Sequence, residues 1–343
     1  MKYLFQIWCI FSVAALTGCI HDLPVPPSSG KPRAVVYSEL VAGRKVEMRV
    51  GKSKPVGPDI NNDFPSVTNA VAQLLSADSQ LLEQLHYVKD TSSNMAFYRG
   101  NTRIEANKSY IVQVKVPDTR DVVAKTTIPP GIKVVMQDTV RTTLNGRPVL
   151  RFHFNIQAPP ANGRQFIVME ALKQLIQLDT IFIYRNARYR VRDKRTLYDQ
   201  VKNEPGLVSF KDTVYLNSYL RIPVYTQDEN ADNNQVGGLN ENYNSILFTQ
   251  RVKALDTRLY LDATALTAES SATPPIPIGR VLVNVKSVTP EYYDFLLTYE
   301  KVRRNPGLNS LIQAIQIRSN AIGGLGVIGG CNQVAYYLYY DQL

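Results

Sequence analysis

Hydrophobic and polar residues alternate along several short stretches of this chain. Lys45–Val50, Ser109–Val116 and Val149–Ile156 place every second side chain on an apolar face, which is the period of a half-buried β-strand. Other short apolar or aromatic runs are also predicted as strands: Ala34–Tyr37, Ile181–Tyr184, Tyr189–Arg192, Val214–Leu216, Leu220–Tyr225, Leu259–Leu261, Val281–Val285 and Val334–Tyr340. The pattern therefore predicts a mainly β protein.

A proline-containing turn separates the predicted strands into two groups. Thr126–Gly131 holds two adjacent prolines, which cannot donate to a β-ladder and therefore end a strand. The strands before this turn are short and are closed by turn residues. We predict an immunoglobulin-like β-sandwich over residues 34–131, followed by a second β-rich domain over residues 132–343 with one or two helices.

One helix is clearly indicated in the second predicted domain. Thr289 suits the N-cap position, and Pro290 suits the first helical position. The negative charge of Glu291 stabilises the start of a helix through the helix dipole. We expect this helix to end at about Arg303.

Two further segments have apolar residues at helical spacing. Val67–Leu85 and Phe166–Leu178 are rich in Ala, Leu and Gln. In the second segment, Val168, Leu172 and Leu175 fall on one side of a helix. Periodicity alone therefore predicts that both segments are helical.

The beginning of the chain has the features of a bacterial export signal. Lys2 precedes the apolar run Leu4–Leu16, which is too short to span a bilayer stably. The run leads into Leu16-Thr17-Gly18-Cys19, which resembles the lipobox of bacterial lipoproteins. The resemblance implies that residues 1–18 are removed and that Cys19 carries palmitate-type acyl chains, several of which anchor a protein stably. The alternative is an ordinary cleaved signal peptide in which Cys19 is incidental.

A flexible tether is predicted after the cleavage site. Residues 19–33 are rich in Pro, Ser and Gly, a composition typical of extended and poorly ordered segments. Asp22 does not directly follow Cys19. By resemblance to the sorting rules of lipoproteins, this spacing implies the outer membrane, in either the periplasmic-facing or the cell-surface leaflet.

The sequence is basic, with 39 Lys and Arg against 29 Asp and Glu and a formal net charge of +10. A basic chain is compatible with nucleic-acid binding, but an exported lipoprotein rarely meets nucleic acid, so we expect no such partner. Lipopolysaccharide, an anionic glycan or an acidic protein surface is the expected neighbour.

Cysteine usage excludes an intramolecular disulfide in the mature chain. Cys9 leaves with the signal and Cys19 is expected to be acylated, so that Cys331 is the remaining thiol. We expect Cys331 to be a small buried residue, with a reactive thiol as the alternative.

Metal-binding signals in the sequence are weak. The three histidines do not fall at ligand spacing, so we expect no zinc site. Asp228, Asn230 and Asp232 occupy alternate positions, as oxygen ligands do in calcium-binding loops. Asn233 stands where such a loop needs glycine, and Leu239 stands where it needs the closing glutamate. A solvated acidic loop is therefore the alternative to a calcium site.

Catalytic signals are also missing from the sequence. No serine-, cysteine- or metallo-hydrolase motif occurs in a suitable context, and no cofactor is predicted. His153 shares a predicted strand face with Arg151 and Asn155, and we interpret it as a half-exposed polar residue. A pair of carboxylates that meets only in the folded chain is not excluded.

A basic segment is the clearest candidate for a charged partner. Arg188, Arg190 and Arg192 alternate with Tyr189 and Val191, so a strand would place three guanidinium groups on one face. Such a face could dock an anionic glycan, lipopolysaccharide or an acidic protein. The alternative is a solvated strand face that discourages edge pairing.

A glycine-rich segment near the C-terminus contains Gly323, Gly324, Gly326, Gly329 and Gly330. Its Gly-x-Gly-x-x-Gly spacing matches dinucleotide-binding loops, which need a following helix and a full βαβ unit. The residues after the last glycine are aromatic and strand-like. We therefore expect a structural turn that leads into the last strand, in which glycine allows positive φ and close backbone approach.

Several short blocks together resemble a known family. They are "VTNAVAQL" from Val67, "YRG" from Tyr98, "ANKSYIVQVKV" from Ala106, "AKTTIPP" from Ala124, "SVTPEYYDFL" from Ser287 and "SNAIGGLGVIGG" from Ser319. With the lipobox, they resemble the Bacteroidota outer-membrane lipoproteins called domain-of-unknown-function family 4249. The resemblance covers nearly all of the mature chain, and the last two blocks are the specific ones. It favours strands for Val67–Leu75 and Phe166–Lys173, against the periodicity.

The resemblance also suggests a working context, because genes of the family typically lie beside those of TonB-dependent receptors. It supplies no activity and no catalytic residue. We therefore expect a non-enzymatic outer-membrane lipoprotein that binds a ligand or assists a TonB-dependent receptor. A structural or adhesive surface lipoprotein is one alternative, and a glycan-acting hydrolase with an unsignalled carboxylate pair is another.

Overall fold

A computed structural model gives the fold of the chain. It describes residues 31–53, 67–89, 96–157, 164–232, 243–250, 254–266, 278–304 and 316–339. These residues are mainly in β-strands, with two α-helices, and the architecture is sandwich-like. The predicted fold class is therefore confirmed. Residues 1–30, including Cys19, lie outside the described residues.

Seven strands come before the predicted boundary at Gly131. They are β1 (Ala34–Val41), β2 (Lys45–Lys52), β3 (Val71–Ser76), β4 (Leu81–Lys89), β5 (Ala96–Arg103), β6 (Ser109–Lys115) and β7 (Val122–Thr127). Buried and less buried residues alternate along β6 and β7, as the sequence pattern predicts for strands with one face in a core.

The second part of the chain has longer strands and both helices. Its elements are β8 (Lys133–Leu144), β9 (Arg147–Gln157), β10 (Gln165–Tyr184), β11 (Ala187–Arg190), α1 (Arg195–Val201), β12 (Val208–Ile222), β13 (Val224–Tyr225), β14 (Ile246–Gln250), β15 (Ala254–Asp262), β16 (Ile278–Val288), α2 (Pro290–Arg304) and β17 (Leu325–Tyr339). Neither described helix is long and apolar enough to cross a bilayer.

The strands form one large sheet and one small sheet. The large sheet has thirteen described strands in the order β11-β10-β16-β17-β1-β2-β5-β4-β3-β6-β7, and β12 and β14 also pair with β10. The small sheet has the order β13-β15-β9-β8. β10, β16 and β17 are therefore neighbours in the large sheet. They lie at the centre of the half that is beside the small sheet.

The strand β17 joins the two parts of the chain. Its first half runs parallel to β1, from Val35 opposite Leu325 to Val41 opposite Cys331. Its second half runs antiparallel to β16, from Cys331 to Tyr339. The C-terminal strand therefore completes the sheet that the N-terminal strand begins.

Two large apolar cores lie on either side of the predicted boundary. The first is built from residues between Ala34 and Ile128, with Ala321 and Ile328 added from the C-terminal segment. The second runs from Ile132 to Leu338 and fills the space between the large and small sheets. Gly131 falls between these two sets of core residues, and the division into two domains stays a prediction.

The helices that periodicity predicts for Val67–Leu85 and Phe166–Leu178 are wrong. The first segment contains β3 and the start of β4, and the second lies within the twenty-residue strand β10. β10 pairs with β16 on one side and with β12 and β14 on the other, so both of its edges are covered, and the consecutive residues Ile167–Ala171 are all buried. Such a strand loses the alternating pattern, because apolar residues face both ways. The strands implied by the family resemblance agree with the structure.

The helix predicted after Thr289 is confirmed as α2, which ends one residue beyond the expected Arg303. The backbone carbonyl of Thr289 accepts the N–H of Tyr293 at 2.9 Å, as the carbonyl of an N-cap residue does. The hydroxyl of Thr289 accepts the N–H of Gly330 at 3.3 Å. The start of α2 is therefore held against β17.

Candidate functional site

A cleft opens on the face of β10, β16 and β17 that points away from the small sheet. Its volume is about 470 Å³, and β1, β12 and α2 contribute to its walls. This volume lies in the range of sites for small ligands. Along each strand underneath the cleft, successive side chains point alternately into the cleft and into the apolar core.

Strand register brings the polar residues of the cleft together. Glu170 of β10 lies directly opposite Asn284 of β16, and Val168 lies opposite Lys286. On the other edge of β10, Leu172 lies opposite Arg221 of β12. Residues at i and i+2 of a strand share a face, so these side chains line one surface.

A buried ion network forms the floor of the cleft. Lys286 Nζ lies 2.7 Å from Glu170 Oε1 and 2.7 Å from Glu39 Oε1 of β1. Arg221 Nη1 lies 3.4 Å from Glu170 Oε2, and Asn284 Nδ2 donates to Glu170 Oε1 at 3.1 Å. Glu170, Asn284 and Lys286 are only 6%, 4% and 5% exposed. Burial of these charges is compensated by direct pairing, as buried charges require.

The network fixes the charges of its members. Burial disfavours the ionised form of Glu170, but the positive charges of Lys286 and Arg221 outweigh it and lower the pKa of this carboxyl to about 2. Burial also disfavours the charged form of Lys286, but Glu170 and Glu39 raise its pKa above the ordinary value. Both groups are therefore charged across the physiological range.

One polar atom in the floor has no partner. Asn284 Oδ1 is buried and, among the described residues, receives no hydrogen bond. The amide cannot be turned round without placing this oxygen against the carboxylate of Glu170, which Nδ2 now contacts. A buried acceptor without a donor is unfavourable, so the site is suited to a molecule that supplies an N–H or O–H group.

Tyrosines surround the floor. Tyr37 and Tyr292 join their hydroxyls at 3.1 Å between β1 and α2. Tyr219 and Tyr337 also line the cleft, and the guanidinium of Arg280 lies 4.5 Å from the ring centroid of Tyr337. The cleft thus combines flat apolar surfaces with fixed charges, a mixture typical of binding sites for polar ligands.

The two carboxylates of the floor meet as a pair only in the folded chain. Because Glu39 Oε1 and Glu170 Oε1 each lie 2.7 Å from Lys286 Nζ, the two oxygens are at most 5.4 Å apart (2.7 plus 2.7). Glycosidases also use two nearby carboxyl groups, but one of them must be an acid of raised pKa. The lowered pKa of Glu170 makes it a poor proton donor at neutral pH. Glu170 is therefore better suited to binding as a carboxylate than to acid catalysis.

The arginines predicted to form one strand face are placed differently. Arg188 and Arg190 belong to β11, but the strand ends there, and Arg192 lies in the turn before α1. The next residue, Val191, is buried and its N–H still donates to Thr180 O of β10, but the chain turns from this point. Arg188 pairs with Asp212 on β12 and lies over the ring of Phe210. The prediction that one strand carries all three guanidinium groups is therefore wrong for Arg192, and the docking of an anionic partner at these arginines stays a prediction.

Two residues of the calcium candidate bond each other, and the third bonds a residue of α2. Asp228 Oδ1 accepts the backbone N–H of Asn230 at 3.0 Å, which closes a local turn. The carboxylate of Asp232 accepts the hydroxyl of Tyr293 on α2. In the part of the chain that the structure describes, no three His, Cys, Asp or Glu side chains cluster for a metal. Residues 233–242, the rest of that loop, lie outside it.

His153 lies on the outer face of the small sheet, as its predicted strand face implies. Its Nε2 is 2.5 Å from Asp256 Oδ1 on β15, and its Nδ1 is 3.7 Å from Asp138 Oδ2 on β8. Both ring nitrogens thus face carboxylates. The side chain links three strands and leaves no nitrogen to activate a hydroxyl nucleophile.

The glycine-rich segment is partly a turn and partly a strand. Gly323 and Gly324 lie in the turn, whereas Gly326, Gly329 and Gly330 lie within β17, which begins at Leu325 and not at Val334. The strand starts early because β1 pairs with it along its whole first half. Gly326 has φ +106°, and a Cβ there would lie 1.9 Å from Val36 O, so only glycine fits this parallel pairing.

Cys331 is buried in β17 as a free thiol. Burial raises its pKa well above the ordinary value, and the nearby charge of Glu39 acts in the same direction. A thiol in such surroundings is a weak nucleophile. The geometry therefore favours the structural role over the reactive one.

Sequence reasoning missed the residues of the cleft floor. The signal lies in β16, where Asn284 and Lys286 interrupt an otherwise apolar run that is buried on both faces. Polar residues at i and i+2 inside such a strand indicate a buried polar site, but their partners Glu39 and Glu170 are distant in sequence.

Comparison with known proteins gives a family and no function. No curated protein matches the chain. One family model, described as a domain of unknown function (DUF4249), matches residues 21–336. The match includes every strand and helix that forms the cleft, except the last residues of β17. The chain therefore belongs to the DUF4249 family.

Proposed function

We propose that this protein is a non-enzymatic ligand-binding lipoprotein of the outer membrane, that the cleft is its binding site, and that it works with a TonB-dependent receptor. The observation that supports the binding role is the unpartnered Asn284 Oδ1 beside the buried ion network. Buried ion pairs are seldom more stable than apolar packing of the same volume. Their presence in a cleft is better explained by recognition of a polar molecule.

The membrane location rests on the lipobox resemblance at Cys19 and on the tether that follows it. Several acyl chains on one residue would hold the body near the membrane, and a flexible segment would let the cleft reach a neighbouring receptor. The family resemblance supplies the TonB-dependent receptor as the expected neighbour.

Ligand screening of the mature protein tests the binding role. We expect at least one class among sugars, amino acids, nucleosides and aromatic acids to raise the melting temperature, since a ligand that binds the native state stabilises it. Gln333→Trp, which fills the cleft, should abolish the shift. Arg190→Gln on β11 is the matched control outside the cleft and should behave like wild type. If no class shifts the melting temperature, or if Gln333→Trp leaves the shift intact, the binding role fails.

Purification of the native protein from outer membranes in mild detergent tests the receptor partnership. We expect a TonB-dependent receptor to co-purify above the level seen with an unrelated lipoprotein. Absence of such a receptor would remove this part of the proposal and leave the binding role untouched.

Hydrolysis of glycans is the competing function, because the floor holds two nearby carboxylates. The lysine between them and the low pKa of Glu170 weigh against it. Reducing-end release from glycans by the wild-type protein, lost in Glu170→Gln, would favour the hydrolase over the binding protein.

A further inference from the structure

We infer that the cleft takes an acidic sugar, a polyhydroxylated ring that carries one carboxylate. This inference rests on the proposed binding role and names the class of ligand. It follows from the charge of the cleft, from the hydrogen-bonding groups that the protein leaves open, and from the aromatic side chains at the mouth.

The charges along the cleft do not cancel. Three cationic residues, Arg44, Arg221 and Lys286, and two anionic residues, Glu39 and Glu170, contribute to its walls. Three positive and two negative charges leave a net charge of +1. Both carboxylates are already bound to Lys286, so the excess positive charge lies with the arginines. A ligand with a single negative charge would bring the net charge of the cleft to zero.

Arg221 is the residue best placed to bind that charge. Its two contacts, with Glu170 Oε2 and with Asn244 O, are both long at 3.4 Å. Its side chain is 44% exposed, and a guanidinium has five N–H donors in a planar fork. A carboxylate can therefore bind it through two parallel hydrogen bonds without breaking the buried network.

The floor of the cleft offers acceptors instead of donors. Asn284 Oδ1 has no donor, and Glu39 Oε2 makes no hydrogen bond with any described residue. Ligand hydroxyls or amines could serve both atoms. Lys286 and Arg221 together balance the charges of Glu39 and Glu170, so the floor needs no further cation from a ligand. Neutral hydroxyl groups therefore suit the floor best.

The mouth offers flat apolar surfaces. Tyr219 and Tyr337 both line the cleft and are 41% and 43% exposed. Aromatic rings of this kind can pack against the C–H face of a sugar ring, and the hydroxyl of Tyr219 is held by Arg280 Nη2 at 3.4 Å. A ring with an apolar face, hydroxyl donors at one edge and a carboxylate at the other edge fits all three features.

Calorimetric titration of the full mature chain in detergent tests this inference. The probes are glucuronic acid, glucose and glucosamine as mono- and disaccharides, which share one ring and differ in charge. We expect the acid to bind at least tenfold more tightly than glucose, and glucosamine to bind more weakly than glucose. Arg221→Gln should remove the preference for the acid, whereas Arg190→Gln, a matched control on the exposed strand β11, should keep it.

The outcomes separate this inference from the proposed function. Equal or tighter binding of glucose, or an unchanged preference in Arg221→Gln, would overturn the acidic-sugar assignment and leave a binding cleft. Amino acids or nucleosides that bind more tightly than any sugar, with loss of binding in Gln333→Trp, would do the same. If no class of ligand binds, both the acidic-sugar inference and the proposed binding function are overturned.

Discussion

The two faces of β10 and β16 differ in chemistry although the same strands build them. On one face, Ile167, Met169 and Val283 lie fully buried against the small sheet. On the other face, Glu170 and Asn284 are almost as well buried but line a cleft. Burial alone therefore does not distinguish a core from a site in this protein.

The comparison shows where the chain keeps buried polar residues although apolar packing of the same volume would be at least as stable. The aliphatic face gains free energy from each apolar group removed from water. The cleft face must compensate the desolvation of its charges by pairing, and it gains little net stability from doing so. A buried polar face on strands that could be apolar throughout is therefore a signature of function.

Lys286→Met is the strongest way to disturb the cleft face. The substitution leaves the buried Glu170 and the half-buried Glu39 without their shared cation. Removal of one partner of a buried ion network costs about 3–5 kcal/mol, and we expect this loss in urea unfolding at pH 7. Met169→Ala on the aliphatic face should cost about 2–5 kcal/mol, because it leaves a cavity.

Rescue distinguishes the two faces. Adding Glu39→Gln and Glu170→Gln to Lys286→Met should recover most of the lost stability, since the uncompensated charges are then gone. The same two changes should not rescue Met169→Ala, whose defect is a missing apolar side chain. A loss below about 1 kcal/mol in Lys286→Met would show that the network is not compensating buried charge.

The next test is the stability of the protein at acidic pH, because Glu170 has a lower pKa in the folded chain than in the unfolded chain. Its ordinary value of 4.5 falls to about 2 on folding. The ionised carboxylate therefore stabilises the fold above pH 4.5, and this contribution is lost as the pH falls towards 2. For a shift of this size the loss is about 3 kcal/mol.

Comparison with Glu170→Gln isolates that contribution. Other carboxylates titrate in both proteins, so the difference between their unfolding free energies reports on Glu170 alone. We expect the difference to shrink as the pH falls from 4.5 to 2. Parallel stability curves for the two proteins over this range would contradict the prediction.

The fold was predictable where one face of a strand is exposed. The alternating pattern of β9 is visible in the sequence because His153 and its neighbours on one face are less buried than Phe152 and Phe154 on the other. β10 lacks such a pattern because the consecutive residues Ile167–Ala171 are buried whichever face they lie on, and the remaining apolar spacing matched a helix by coincidence.

The cleft was not predictable, because its charges meet through long-range pairing. Lys286 and Glu39 are 247 positions apart in the sequence and meet only because β17 lies between β16 and β1. A single sequence carries no signal for such a contact. The tether, the acylation of Cys19 and the receptor partnership stay predictions.

Gly329→Ala is a smaller disturbance at the edge of the cleft. A Cβ at this position would lie 2.3 Å from Tyr292 Cγ, so the ring and the start of α2 must move. Insertion of a methyl group into a packed contact costs about 1–3 kcal/mol. Gly131→Ala is the matched control, because its nearest atom is 3.7 Å away, and it should be tolerated. Equal stability of the two variants in urea unfolding would contradict close packing of α2 on β17.

Arg221→Gln should have the smallest effect on stability. Arg221 and Lys286 contact the same carboxylate of Glu170, but Arg221 is 44% exposed and its contact is 3.4 Å long, whereas Lys286 is buried at 2.7 Å. Water screens the exposed guanidinium, and Glu170 keeps its closer contact with Lys286, so the loss of Arg221 should cost less than about 1 kcal/mol in urea unfolding. A cost as large as that of Lys286→Met would mean that both cations belong to the folding network. A small cost would mean that the two cations of one ion cluster have different roles. Lys286 would be needed for the fold, and Arg221 would be available to bind a ligand.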